Sequence, residues 1–307
     1  MPDDQFPAPP PPPPAPTVEV CYRHPDVATR VHCTRCGRPI CPDCMIQAPV
    51  GFQCPECVEQ ARRQFRVGPV AAARGLGVTR VLLVAIVAMY VLELVSSGGG
   101  SVFGQPSGGR LIELGALQPL LIADGQFWRL FSAMFLHASL FHILFNGYAL
   151  WLFGSAIESN LGRTNMALVY FVSGFVASAA SYAFLDARGL SVGASGAIFG
   201  IFGAFIAYNY RRRHLAVASA NLRWAGILLL LNAFLALGYR AIDWRAHLGG
   251  LAAGFVAGWV AEGWGAPAQR RIIRVVGFGA LVALGIGLVV WRTGELRNSA
   301  LFGSLLD

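Results

Sequence analysis

The chain has 307 residues, 55% of them hydrophobic and 13% charged, with a mean hydropathy of +0.54. That composition excludes an ordinary soluble domain and points to a membrane protein. The net charge of +8 does not redirect it toward nucleic acid, because its Lys+Arg content is entirely arginine, clustered beside apolar segments. Such placement orients a protein in a bilayer and does not form a DNA-binding stripe.

Residues 1–17 include an unbroken run from Pro9 to Pro14. They cannot build a core and are expected to form a polyproline II tail that acts as a spacer, a proline-binding partner being the alternative. A signal peptide would need a basic start and an apolar stretch, and neither is present.

All seven cysteines fall between Cys21 and Cys57. They form the pairs Cys21-x-x-His24, Cys33-x-x-Cys36, Cys41-x-x-Cys44 and Cys54-x-x-Cys57, eight ligands suited to two tetrahedral zinc ions. A two-residue spacing lets both side chains of a pair converge on one ion from a tight turn. An odd cysteine count and this spacing argue against disulfides, and thiolate ligands imply a reducing, cytosolic side.

Only four residues separate the second pair from the third. This favours an interleaved arrangement, with Cys21, His24, Cys41 and Cys44 on one ion and Cys33, Cys36, Cys54 and Cys57 on the other. Sequential grouping stays open, as does replacement of a ligand by His32. Residues 18–60 resemble a B-box-type zinc module, although that family commonly ends in histidines. Sites closed by four protein ligands are structural, so the module is expected to fold with zinc bound and to recognise something, a cytosolic protein being the candidate partner.

A basic linker at 61–77 leads to a first apolar span at about 78–95, long enough to cross a bilayer. Further spans are expected at 134–155, 165–185, 193–210, 222–239, 244–261 and 273–291, giving an all-α polytopic protein with seven crossings and a short C-terminal tail. The densest arginine clusters lie in the linker, at Arg211 to Arg213, and at Arg270, Arg271 and Arg274. With seven alternating spans all three fall on one side. The positive-inside rule makes that side the cytoplasm, with the amino terminus inside, the carboxyl terminus outside and the plasma membrane as the expected location.

Three runs put polar, catalysis-capable side chains into these apolar segments: His142 to Asn146, Gly193 to Gly196, and Ala246 to Gly250. Polar groups in hydrocarbon are costly unless they pair or do chemistry. On the expected topology Ser195, His247, His142 and Asn146 share the outer leaflet. Ser195 needs a base, and His247 is placed to serve. Glycines at 196, 200 and 203, and at 250, 254 and 258, would let the two helices approach.

His142 and Asn146 lie four apart on one helical face and can donate to an oxyanion, together with the Ser195 backbone N–H at a helix start. Asp243 is expected to be an N-cap, which leaves a Ser-His dyad. Trp128 and Arg129 are read as an interfacial anchor or a loop brace.

With His137-x4-His142-x3-Asn146, Gly193-Ala194-Ser195-Gly196 and Ala246-His247-x2-Gly250-x3-Gly254 in this order, residues 78–262 resemble a rhomboid intramembrane serine protease. Trp128-Arg129 and Glu158 also match family features, where they are structural. The resemblance implies a six-helix core that cleaves transmembrane proteins near their outer ends. It makes Ser195 the nucleophile, His247 the general base, and His142 and Asn146 the oxyanion donors, with no cofactor needed for catalysis. Residues 263–307, with the seventh helix, and the zinc module are additions to that core.

One departure is Phe199, where family members often carry a tyrosine that stacks on the catalytic histidine. Two other readings compete with proteolysis. One is a non-catalytic relative that binds transmembrane clients, and the other is a membrane-anchored scaffold presenting the zinc module.

Overall fold

The computed structural model describes residues 19–48, 51–65, 77–96, 106–238 and 242–299. The expected Pro-rich tail, most of the basic linker and the last C-terminal residues lie outside them. The chain divides into two compact units, Met1–Gly75 and Leu76–Asp307.

In the first unit, a 3-10 turn at Pro42–Cys44 precedes a two-stranded antiparallel ribbon of β1 (Ile46–Gln47) and β2 (Phe52–Gln53), followed by α1 (Pro55–Phe65). Pairs this short cannot stabilise a sheet by themselves. The buried cluster here is Ile40 with six cysteines, so sulfur occupies the place that aliphatic side chains fill elsewhere.

The second unit is helical. Helix α2 (Val78–Ser96) is followed by three short helices, α3 (Gly108–Leu114), α4 (Pro119–Ala123) and α5 (Arg129–Ser132). The next apolar stretch, Leu140–Leu161, is built from α6 (Leu140–Ala149), a π-helical segment at Leu150–Gly154 and α7 (Ser155–Leu161). Then come α8 (Arg163–Phe184), α9 (Ser195–Tyr210), α10 (Ala216–Gly238), α11 (Trp244–Glu262) and α12 (Pro267–Arg297).

Five helical stretches among the described residues are long and apolar enough to cross a bilayer: Val78–Ser96, Leu140–Leu161, Arg163–Phe184, Ala216–Ala236 and Pro267–Arg297. The protein is an integral, multi-pass membrane protein. The remaining two of the seven expected spans are the central helices. Helix α9 has 16 residues, about 24 Å at 1.5 Å per residue, short of a hydrocarbon core of about 30 Å. Helix α11 has 19 residues but carries Arg245, His247 and a face of glycine and alanine.

Both central helices pack principally on each other and on α8. The expected start of the second span at 134 also moves. Residues 133–135 form a 3-10 turn, and Ser139 Oγ accepts from the His142 N–H at 3.2 Å, so the helix begins at Leu140.

Helices α9 and α11 meet backbone to backbone. A Cβ on Gly250 would lie 2.0 Å from the Gly196 carbonyl oxygen, and one on Gly254 would lie 1.9 Å from that of Gly200. Any larger residue at either position would force the helices apart, which explains the spacing of small residues. This contact sets the distance between the first turn of α9 and the first turn of α11.

Two polar clamps hold the periphery. Glu158 on α7 accepts from the Val78 and Thr79 N–H groups at 2.9 and 2.8 Å and from Thr79 Oγ1 at 2.7 Å, closing the amino end of α2. Arg129, 5% exposed, donates through Nη1 to the carbonyls of Ile112 and Ala116 at 2.6 and 3.0 Å and through Nε to Gln126. Of the two readings of Trp128-Arg129, the loop brace is what Arg129 does, with its guanidinium 4.7 Å from the half-exposed Trp128 ring.

Candidate active site and metal centres

The sequence places Ser195 at the head of α9, after Gly193 with φ +128° and an Ala194 cap that offers no side-chain acceptor. The amides of that first turn therefore point into the site without a capping side chain. His247 sits one turn into α11, and its Nε2 lies 2.9 Å from Ser195 Oγ. Phe199, one turn below Ser195, stacks on the His247 ring with centroids 4.1 Å apart and planes 15° from parallel. The imidazole is held between that ring and the hydroxyl.

His142 and Asn146 approach from α6. A Cβ on Gly193 would lie 2.7 Å from His142 Nε2 and 3.6 Å from Asn146 Nδ2, so both side chains face the backbone just before Ser195. Only glycine leaves room for them. Asn146 is 7% exposed, and its Nδ2 is a buried donor with no hydrogen-bond partner among the described residues. The four polar side chains picked out in sequence thus come together around the 193–195 turn.

Asp243 caps α11 by accepting from the Ala246 N–H at 3.3 Å. Its other oxygen accepts from Ser191 Oγ at 2.7 Å and from Ser181 Oγ. The carboxylate ties α8, the loop before Ser195 and the start of α11 together, a role that spacing alone did not reveal. A recess of 20 Å³ beside Ser195, lined in part by Ser181, Ser191, Gly193 and Ala246, is large enough for one water.

Glu93 was also missed. It is fully buried on α2, and its carboxylate accepts from the His137 N–H at 3.0 and 3.2 Å, anchoring the approach to α6. An acidic residue inside the first apolar span was a usable signal, since such a charge is retained in hydrocarbon only for a partner or a function. The His137 ring meets His142 edge-on at 5.1 Å between centroids.

In the first unit the eight expected metal ligands form two clusters, Cys21, His24, Cys41 and Cys44, and Cys33, Cys36, Cys54 and Cys57. Within each, the donor atoms lie within 4.8 Å of one another. This is the interleaved grouping. His32 is not among the donors, because its Nε2 is bound to Glu19.

The geometry can be tested against zinc. Tetrahedral bonds of about 2.3 Å to sulfur and 2.0–2.1 Å to nitrogen put two sulfurs about 3.8 Å apart and a sulfur about 3.6 Å from a nitrogen. Cys36 and Cys54 Sγ are 3.8 Å apart, and His24 Nδ1 lies 3.8, 3.2 and 3.4 Å from the sulfurs of Cys21, Cys41 and Cys44. Both clusters could hold a tetrahedral metal ion.

The thiols are unequal. Burial works against the Cys21 thiolate, but N–H groups of Arg23, Cys41 and His24 outweigh it and bring the thiol down to about 6. For Cys33 burial is likewise outweighed, by N–H groups of Cys54, Cys36 and Arg35, again to about 6. Arg38 donates to Cys36 Sγ at 3.3 Å and lowers that thiol below its ordinary value.

Comparison with known proteins places this geometry in a family. Residues 124–263 match the model of the rhomboid domain. Rhomboid protease GluP of Bacillus subtilis (strain 168) is 32% identical over 212 residues, 67% of this chain and 38% of GluP. The RHOMBOID-like protein 6, mitochondrial, of Arabidopsis thaliana is 32% identical over 222 residues, 63% of this chain and 70% of that protein. Putative rhomboid protease YdcA of Bacillus subtilis (strain 168) is 35% identical over 135 residues, 44% of this chain and 67% of YdcA. This chain thus spans well under half of GluP, but two thirds or more of the other two. The matched region contains Ser195, His247, His142 and Asn146, and the chain belongs to the rhomboid family.

Proposed function

We propose that this protein is an intramembrane serine endopeptidase acting on transmembrane proteins through a Ser195-His247 dyad. The observation that carries the reading is the 2.9 Å contact between His247 Nε2 and Ser195 Oγ at an uncapped helix start. As Ser195 Oγ attacks the scissile carbonyl carbon, its proton passes to His247 Nε2. The carbonyl oxygen becomes an oxyanion that accepts from Asn146 Nδ2, from His142 Nε2 in the tautomer protonated there, and from the Ser195 backbone N–H.

Collapse breaks the C–N bond, His247 returns the proton to the leaving amine, and an acyl group remains on Ser195. Water then attacks that ester with His247 again taking a proton, and the carboxylate product leaves with the serine restored. Asp243 orients α11 rather than the imidazole, since Ala246, Ser181 and Ser191 occupy its carboxylate.

Residues 78–262 are the catalytic core in this reading. Residues 18–60 form a module with two structural zinc ions, which supply to folding what an apolar core would supply elsewhere. The arginine clusters favour an amino terminus in the cytoplasm and a carboxyl terminus outside, and the plasma membrane is the proposed location.

The test is labelling of the detergent-solubilised protein with a fluorophosphonate probe. Wild type should label, and Ser195→Ala and His247→Ala should not. Equal labelling of Ser195→Ala, or none of a folded wild type, overturns the assignment and favours a client-binding relative.

A further inference from the structure

Helix α12 lies beyond the region that matches the rhomboid domain, yet its outer half is built into the scaffold under the site. With 31 residues it is about 46 Å long, more than a bilayer core requires. The excess reaches the short helices that precede α6. Thr293 Oγ1 and Tyr182 Oη, both buried, are 2.8 Å apart, linking α12 to the last turn of α8. Arg292 Nη2 donates to the Leu185 carbonyl, the cap of α8, at 3.0 Å. Arg297 Nε donates to the Ala123 carbonyl at the end of α4 at 2.7 Å. Val289 and Leu296 join the buried cluster of Leu117, Leu120, Leu130 and Ala133.

The same short helices hold the strand of chain that delivers Ser195. Leu117 and Ser191 pair antiparallel through two backbone bonds of 3.0 Å. Gln118 Nε2 donates to the Ala187 carbonyl at 3.2 Å, and the Ala133 carbonyl accepts from the Gly193 N–H at 2.9 Å. Residues 187–193 are therefore docked on a layer whose other side rests on α12. Helix-end carbonyls in apolar surroundings need donors, and the arginines of α12 satisfy two of them.

We infer that the outer end of α12 is a positioning element for the 193–195 turn, with Arg297 and Thr293 as its positioning residues. They act through α4 and the end of α8 and touch no reacting atom. This rests on the reading of Ser195 as the nucleophile.

The experiment compares full-length wild type with Arg297→Met, Arg297→Lys and the double variant Thr293→Val, Arg297→Met, reading four quantities. These are the fluorophosphonate labelling rate at Ser195, kcat and KM on a model transmembrane substrate, and amide hydrogen exchange over 117–123 and 187–193. The expected result is a labelling rate and kcat down about five- to tenfold in Arg297→Met, which has no donor, the scale of one lost hydrogen bond, with KM within about twofold. Exchange should accelerate in both segments, the double variant should be worse, and Arg297→Lys, which keeps a donor, should recover most of the rate.

Wild-type labelling rates in a folded double variant overturn the inference, and so does an Arg297→Lys variant as slow as Arg297→Met. An unlabelled wild type sinks the nucleophile reading instead. In that case the exchange data still decide whether α12 orders the 187–193 segment, and unchanged exchange overturns it.

Discussion

The two units of this chain are held together by opposite means. In the first, six of the seven residues in the buried cluster are cysteines, so little apolar surface is available to fold it. In the second, one cluster runs from Leu82 on α2 to Leu281 on α12, and the central helices touch through their backbones. On the proposed zinc reading, stability in the first unit depends on a removable ligand, whereas stability in the second is distributed over packing that no chelator can reach.

Metal removal gives the largest expected effect. Structural zinc in small modules contributes about 10–16 kcal/mol of apparent binding free energy. A strong chelator should abolish exchange protection over 19–48 and 51–65 while leaving α8, α9 and α11 protected. Persistent protection in the first unit would break the comparison.

Acid should act in the same direction, because each thiolate ligand competes with a proton. Zinc binds from the unfolded, metal-free module and displaces the protons its thiols carry there, so affinity should fall with pH below the ordinary thiol value of about 8.5. The plot of log zinc affinity against pH should steepen as pH falls through about 8.5, measured by competition with a zinc-binding dye.

In the second unit the corresponding break is steric. Gly254→Ala places a methyl group 1.9 Å from the Gly200 oxygen, so α9 and α11 must separate. A loss of about 1–3 kcal/mol or more is expected from such overpacking. Gly226→Ala, where nothing lies within 4 Å, should cost nothing and raise stability by up to about 1 kcal/mol, since alanine is the better helix former. Equilibrium unfolding in mixed micelles measures both, and equal effects would show that the close approach is not what holds the pair.

A smaller loss is expected at the periphery. Arg129→Ala strips the Ile112 and Ala116 carbonyls of a donor, at about 1–3 kcal/mol for a buried group left unsatisfied. The same unfolding measurement reads it, and faster exchange across 108–123 would locate the damage.

Much of this architecture is legible in the sequence for identifiable reasons. The paired cysteines declare themselves because ligand spacing is a local property, and the long helices because a bilayer imposes a length. Glycine spacing indicates which helices meet. Helices α3, α4 and α5 leave no such trace. They are four to seven residues long, too short for periodicity, and are held by Arg129 and by α12 rather than by their own sequence.

Span two starts late because Ser139 competes for the first turn, an effect that hydropathy does not register. The hydroxyls of Ser181 and Ser191 on Asp243 join residues more than fifty positions apart, and nothing in either local sequence announces the pairing. Arg292 and Arg297 look in sequence like ordinary charges flanking a span. Their use as donors to Leu185 and Ala123 is fixed only once α12 packs on α8.

The smallest predicted effect tests how the site shares the packing of the second unit. Phe199 is the departure from the stacking tyrosine, yet its ring lies 4.1 Å from that of His247. An aromatic stack is worth about 0.5–1.5 kcal/mol beyond area burial. Phe199→Leu should therefore slow labelling of Ser195 by about two- to twelvefold, the corresponding range of rate ratios. Phe199→Tyr, which keeps the ring, should label within about twofold of wild type. If leucine labels as fast as phenylalanine, the imidazole is positioned by the α9–α11 contact alone, and the glycines carry the alignment of the dyad as well as the stability of the bundle.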